Sequence, residues 1–175
     1  SHSLFLLENG EVWGCGANNF GQLGLGSSKA VAKDVLSISR ISFSGDRTLI
    51  RDIACGYDFS LFCTTAGRLY ACGHPEYGVM GQGTDGQFIK DGGKGPAVQF
   101  SCEHTPALID RFVTKDHHNK VTATRTGAQV KIRAVAAGKN HCVCLEEWEP
   151  NTSTSTNNSA DTAEDPLNRV FSWGW

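Results

Sequence analysis

Cys142 and Cys144 flank Val143 directly after His141, the kind of thiolate and imidazole grouping in which a soft metal would be sought. Residues two apart in a strand share a face, so both sulfurs can point the same way. A tetrahedral set needs further ligands, and neither a second Cys-x-x-Cys nor a His pair stands at the usual spacing. No metal and no cofactor is expected. Nucleophilic catalysis finds as little support. His2 and His141 begin strand-like runs, and His74, His104, His117 and His118 fall in loop-like stretches. No nucleophile-elbow pattern is present, so no catalytic residue is assigned.

Two other groups suit binding. HPEY, residues 74–77, fixes a turn with Pro75 and offers His74 and Glu76 to a partner, with Tyr77 left for packing. Arg111 to Arg133 is locally basic and contains Lys115, His117, His118, Lys120 and Arg125. That stretch is either a solvated loop or a contact for an acidic surface, such as chromatin, a microtubule or an acidic protein face. Phe112 is its only aromatic, too few for base stacking, so direct sequence-specific reading of nucleic acid is not expected.

VWGCGANNFGQLGLG, residues 12–26, is the remaining candidate, because closely spaced glycines can wrap amides around a phosphate. It matches neither G-x-G-x-x-G nor G-x-x-x-x-G-K-[ST], and no helical stripe follows it. It also recurs. LYACGHPEYGVMGQG, residues 69–83, repeats Gly16, Gly21, Gly24 and Gly26 as Gly73, Gly78, Gly81 and Gly83. A phosphate loop is used once, whereas turns between strands recur with the strands. These eight glycines are therefore read as turn residues.

The elements that carry them read as short strands. HSLFLL (2–7) has counterparts in FSLFCT (59–64) and HCVCLE (141–146), and IACG and VAAG precede the second and third copies. Asn9-Gly10 signals a tight hairpin, and Thr65-Ala66-Gly67 marks the matching turn in the second copy. Further strands are expected at 35–43, 49–54, 106–113 and 130–136. Trp13, Tyr70 and Trp173 are read as equivalent aromatics between sheets. About four strands per repeat, closed by small residues and glycine, make a β-propeller blade. The fold class is all-β: a propeller segment of two to three blades with four antiparallel strands each. The repeats divide as 1–55, 56–137 with an insertion at 84–129, and 138–175 with an insertion at 147–168. TDGQFIKDGGKGP and KDHHNKVTATRTGAQ in the first insertion are read as long loops, and the Ser/Thr/Asn-biased second insertion as disordered.

Composition sets outer bounds. A formal charge of −2 gives no whole-molecule attraction to nucleic acid or anionic membrane. No apolar run approaches the roughly 20 residues of a membrane helix, so no membrane association is expected. Seven cysteines, mostly within apolar runs, suit free thiols in a reducing compartment. The chain reads as a piece cut from something longer.

WGCGANNFGQLG (13–24) resembles the regulator of chromosome condensation repeat, and CGHPEYGVMGQGTDGQFI (72–89), SCEHTPALIDRF (101–112) and NRVFSWGW (168–175) resemble one branch of that family. The branch has a long blade insertion with an Asp-Gly pair ahead of an aromatic, matched here by Asp85, Gly86 and Phe88. The resemblance implies a seven-bladed propeller acting as an interaction scaffold in the nucleus or on the cytoskeleton. It also implies small GTPases as partners and guanine-nucleotide exchange as the family's activity. Exchange would work by binding the nucleotide-free GTPase more tightly than the loaded one. A ligand-binding propeller is the remaining alternative; it would need an aromatic-rich cleft.

Overall fold

Strand-forming residues alternate along most of the chain, and a computed structural model shows how they pair. The structure describes residues 1–26, 34–44, 48–91, 96–115, 118–147 and 169–175. His117 and residues 148–168 lie outside the described residues, and with them the expectation of disorder in the second insertion.

Three antiparallel sheets follow one another. The first orders β1 (His2–Leu6), β2 (Val12–Ala17) and β3 (Asp34–Arg40). The second is a full four-stranded blade: β4 (Ile50–Cys55), β5 (Phe59–Thr64), β6 (Leu69–Gly73) and, beyond the first insertion's ribbon, β9 (Glu103–Ile109). The third joins β12 (Ile132–Ala137), β13 (His141–Glu146) and β14 (Val170–Gly174). Because β4 pairs with β5, the strand that closes residues 1–55 belongs to the second sheet. Repeat and blade are thus offset by one strand.

The two regions read as loops are in part ribbons. β7 (Gln87–Asp91) pairs with β8 (Pro96–Phe100), and β10 (Arg111–Lys115) pairs with β11 (Val121–Thr126). Each is a two-stranded sheet joined to no other. Local cross-strand pairing stabilises them where glycine and charge had argued against strands.

β5 shows why the sheets stack. All of its residues are buried, on both faces. Phe62 packs with Val12, Ile41, Ile50 and Cys72 between the first and second sheets. Phe59, Leu61 and Cys63 face the other way, with Met80, Ile109, Ile132, Cys142 and Cys144, between the second and third. A continuous apolar run is what a strand covered on both sides requires.

Register corrects one alignment. Cys15 lies opposite Ser3, Cys72 opposite Ser60, and Trp173 opposite Cys142. Trp173 therefore stands where the other copies have cysteine, and Phe171 is the counterpart of Trp13 and Tyr70. Tyr70 and Phe171 pack against the two cores, and Trp13 is half-buried.

Candidate functional site

The recurrent glycine turns are closed mostly by acceptors of their own. All eight glycines named above have positive φ. In the first turn the amides of Phe20, Gly21, Leu23, Gly24 and Gly26 donate to Gln22 Oε1, Asn18 O, Asn18 Oδ1, Gly21 O and His104 O. Gly78 and Gly81 donate to Pro75 O and Gly78 O in the second. Amides so engaged form no open cradle for an anion. The carbonyls point onward. Gln22 O accepts Ser60 Oγ (2.6 Å) and Cys72 Sγ (3.4 Å), and Val79 O accepts Cys142 Sγ (3.5 Å) and Trp173 Nε1 (2.8 Å). The same clasp thus joins successive sheets twice, with tryptophan replacing cysteine in the second.

An aromatic contact recurs beside each clasp. Phe20 meets His74 edge-on at 4.5 Å, and Tyr77, the counterpart of Phe20, stacks on Trp175 at 5.6 Å. His74 is also covered by Phe100 at 4.7 Å, which roots the β7–β8 ribbon on the second blade. His74 is thus a packing residue, its side chain only 16% exposed. Tyr77 departs from Phe20. It is 43% exposed, and its φ of 64° is uncommon for an aromatic side chain.

Tyr77 lines a cleft of about 210 Å³ with Tyr57, Asp58, Phe59, His74, Glu76, Val79, Lys139 and Asn140. Glu76 Oε2 stands 3.8 Å from His74 Nδ1, and its carboxylate is 44% exposed. Asp58 Oδ1 accepts Gln22 Nε2 at 3.3 Å. Lys139 Nζ lies 5.2 Å from the centre of the Tyr57 ring. The sequence had pointed to His74 and Glu76 alone. Tyr57-Asp58 and Lys139-Asn140 follow the recurrent runs IACG and VAAG, at the ends of β4 and β12. That shared position, carrying different chemistry in each copy, was the available signal.

The basic residues lie elsewhere. In an antiparallel blade, the β4–β5 and β6–β9 connections share one end, while the β5–β6 turn and the exit from β9 share the other. The cleft belongs to the first end and the β10–β11 ribbon to the second, so the two predicted groups do not meet. Arg125 is committed internally, bonding Glu146 at 2.7 Å and Gln129 O. Lys115, His118 and Lys120 are exposed.

The thiols are poor ligands. Burial pushes Cys142 and Cys144 up to about 12 and raises Cys72 as well. No group of three or more metal-ligating side chains gathers among the described residues. His2 Nε2 and Ser60 Oγ are 2.8 Å apart, yet Ser60 is fully buried and its hydroxyl is spent on Gln22 O. His2 therefore donates, and the pair ties β1 to β5. Among the described residues no helix is long and apolar enough to cross a membrane.

The model of the regulator of chromosome condensation (RCC1) repeat matches residues 9–63, and a second model of that repeat matches residues 50–87. Along its whole length the chain is 34% identical to a protein RCC2 homolog of Danio rerio and 33% identical to protein RCC2 of Homo sapiens. The chain belongs to the RCC1 repeat family. It spans 29% and 28% of those two relatives. A secretion-regulating guanine nucleotide exchange factor of Mus musculus is 32% identical over 80 residues, 46% of this chain and 16% of that relative. Yeast RCC1 (Prp20), solved bound to Kap60, superposes with a TM-score of 0.57 at 24% identity, covering 84% of this chain and 30% of that one. A second Prp20p structure, from Saccharomyces cerevisiae, is described with its binding to Gsp1p and histones (TM-score 0.50, 24% identity, 84% and 31% covered). The fold is that of an RCC1 β-propeller segment.

Proposed function

We propose that this chain is part of an interaction scaffold that binds a small GTPase at the end of the blades carrying the Tyr57–Lys139 cleft, in the nucleus or on the cytoskeleton. One observation carries the reading. Tyr77 is held half-exposed in a left-handed conformation at the mouth of a cleft, beside the open carboxylate of Glu76. Strained backbone of this kind concentrates where a fold presents a side chain. Family membership and the relative described as binding Gsp1p support a GTPase as the partner class. Guanine-nucleotide exchange is the second reading, favoured by the relative described as an exchange factor. It would need no covalent step, only tighter binding of the empty GTPase.

The test uses full-length protein against a panel of small GTPases. Capture of at least one is expected, weakened about tenfold or more by Tyr77→Ala with Glu76→Gln, in line with loss of an interface anchor. Accelerated nucleotide release would establish exchange, and unchanged release with capture intact would leave a scaffold. Failure to capture any GTPase would sink both.

A further inference from the structure

We infer that the outer face of the β10–β11 ribbon is a docking surface for an acidic polypeptide tract, at the opposite end of the blade from the cleft and independent of any GTPase there. Two cross-strand partners on the inner face of the ribbon, Phe112 and Arg125, are committed. Phe112 is buried and meets Phe171 at 5.1 Å. Arg125, its cross-strand partner, bonds Glu146 and Gln129 O. With that side fixed, alternation turns Arg111 and Val113 outward, and Lys115 follows them because the bulge before it places its extra residue, Thr122, on β11. Arg111 and Lys115 are exposed, opposite exposed Thr126 and Val121, with Lys120 at the tip.

The acids at the root of the ribbon already have partners. Asp110 takes Arg68 at 3.1 Å and the Gly127 amide at 3.0 Å. Glu146 takes Arg125, and Glu147 takes Arg51 at 3.0 Å. These three carboxylates thus compensate other cations, and the ribbon presents Arg111 and Lys115 as a positive pair. Guanidinium and ammonium groups along one strand suit successive carboxylates. Among the described residues of the ribbon no aromatic is exposed, since Phe112 is turned inward, which separates it from a surface that stacks bases.

The test measures anisotropy of a labelled polyglutamate peptide with full-length protein, with a labelled DNA duplex as competitor probe. Binding that weakens with added salt is expected, and Arg111→Glu with Lys115→Glu should reduce affinity at least tenfold. Arg111→Lys with Lys115→Arg should retain binding, and an unchanged melting temperature across the variants checks that the ribbon still folds. Polyglutamate binding untouched by the charge reversals would overturn the proposal. So would a duplex that binds as tightly as polyglutamate, because the face would then be a general polyanion surface.

Discussion

A single motif position in two copies separates backbone strain from packing. Gly21 and Gly78 have φ of 82° and 71°, so an L side chain is strained at both. Their surroundings differ. A Cβ on Gly21 would lie 2.5 Å from His104 Nδ1 and 2.7 Å from His104 Cα, whereas a Cβ on Gly78 would meet nothing within 4 Å. Gly78→Ala is expected to cost about 1 kcal/mol, from strain alone. Gly21→Ala must also push away the backbone of β9 and should cost roughly 2–4 kcal/mol. Urea unfolding of the two variants compares them, and equal losses would mean that the turn does not press on the next sheet. The spacing of the glycines announced turns, and it could not announce this difference. His104 lies far along the chain and comes near Gly21 only through the clasp.

Elements buried on both faces were legible and isolated ribbons were not. FSLFCT reads as a strand because β5 lies between two apolar layers, and its copies repeat the strand-like sequence with only partial burial. VTATRT is rich in β-branched residues, but it follows the charged run KDHHNK and precedes Gly127, and that setting reads as loop. QFIKD and PAVQF pair with each other over residues 87–100, while Ile89 and Val98 remain 74% and 56% exposed, so burial gave no pattern to detect. The β1–β5 tie was equally hidden, joining residues far apart in sequence. It leads to a pH prediction. Burial lowers His2 from 6.5 to about 4, so the folded state holds the ring neutral while the unfolded chain protonates it. Stability from this group is intact above pH 6.5 and is lost as pH falls from 6.5 through about 4. His2→Gln keeps a donor for Ser60 without a titrating group. The variant should lose less stability than the parent between pH 7 and 4.5, measured by denaturant midpoints. Parallel pH curves would remove His2 as a cause.

At the scale of the molecule, stacking leaves one sheet face uncovered. In the first blade Leu4, Leu6 and Val12 face the second, so Phe5 and Leu7 turn away with Trp13. On β3 the alternation is inverted for an outer strand, with Leu36 94% and Ile38 57% exposed. Phe5 and Leu7 add exposures of 44% and 43%. Apolar side chains gathered on one sheet face form the kind of patch that drives association when nothing covers it. Residues 1–175 expressed alone should therefore self-associate with rising concentration, bind an apolar dye and melt without a sharp transition. Leu36→Lys with Ile38→Lys should shift the sedimentation distribution toward monomer while leaving far-UV circular dichroism unchanged, since neither side chain takes part in a core. A segment that stays monomeric and melts cooperatively would show that the exposed face needs no cover. If the substitutions restore the monomer but the melt stays broad, the missing stability lies instead in the three-stranded first and third sheets. Among the described residues each has three strands where the second has four, and the clasp that fastens one sheet to the next is formed twice among them.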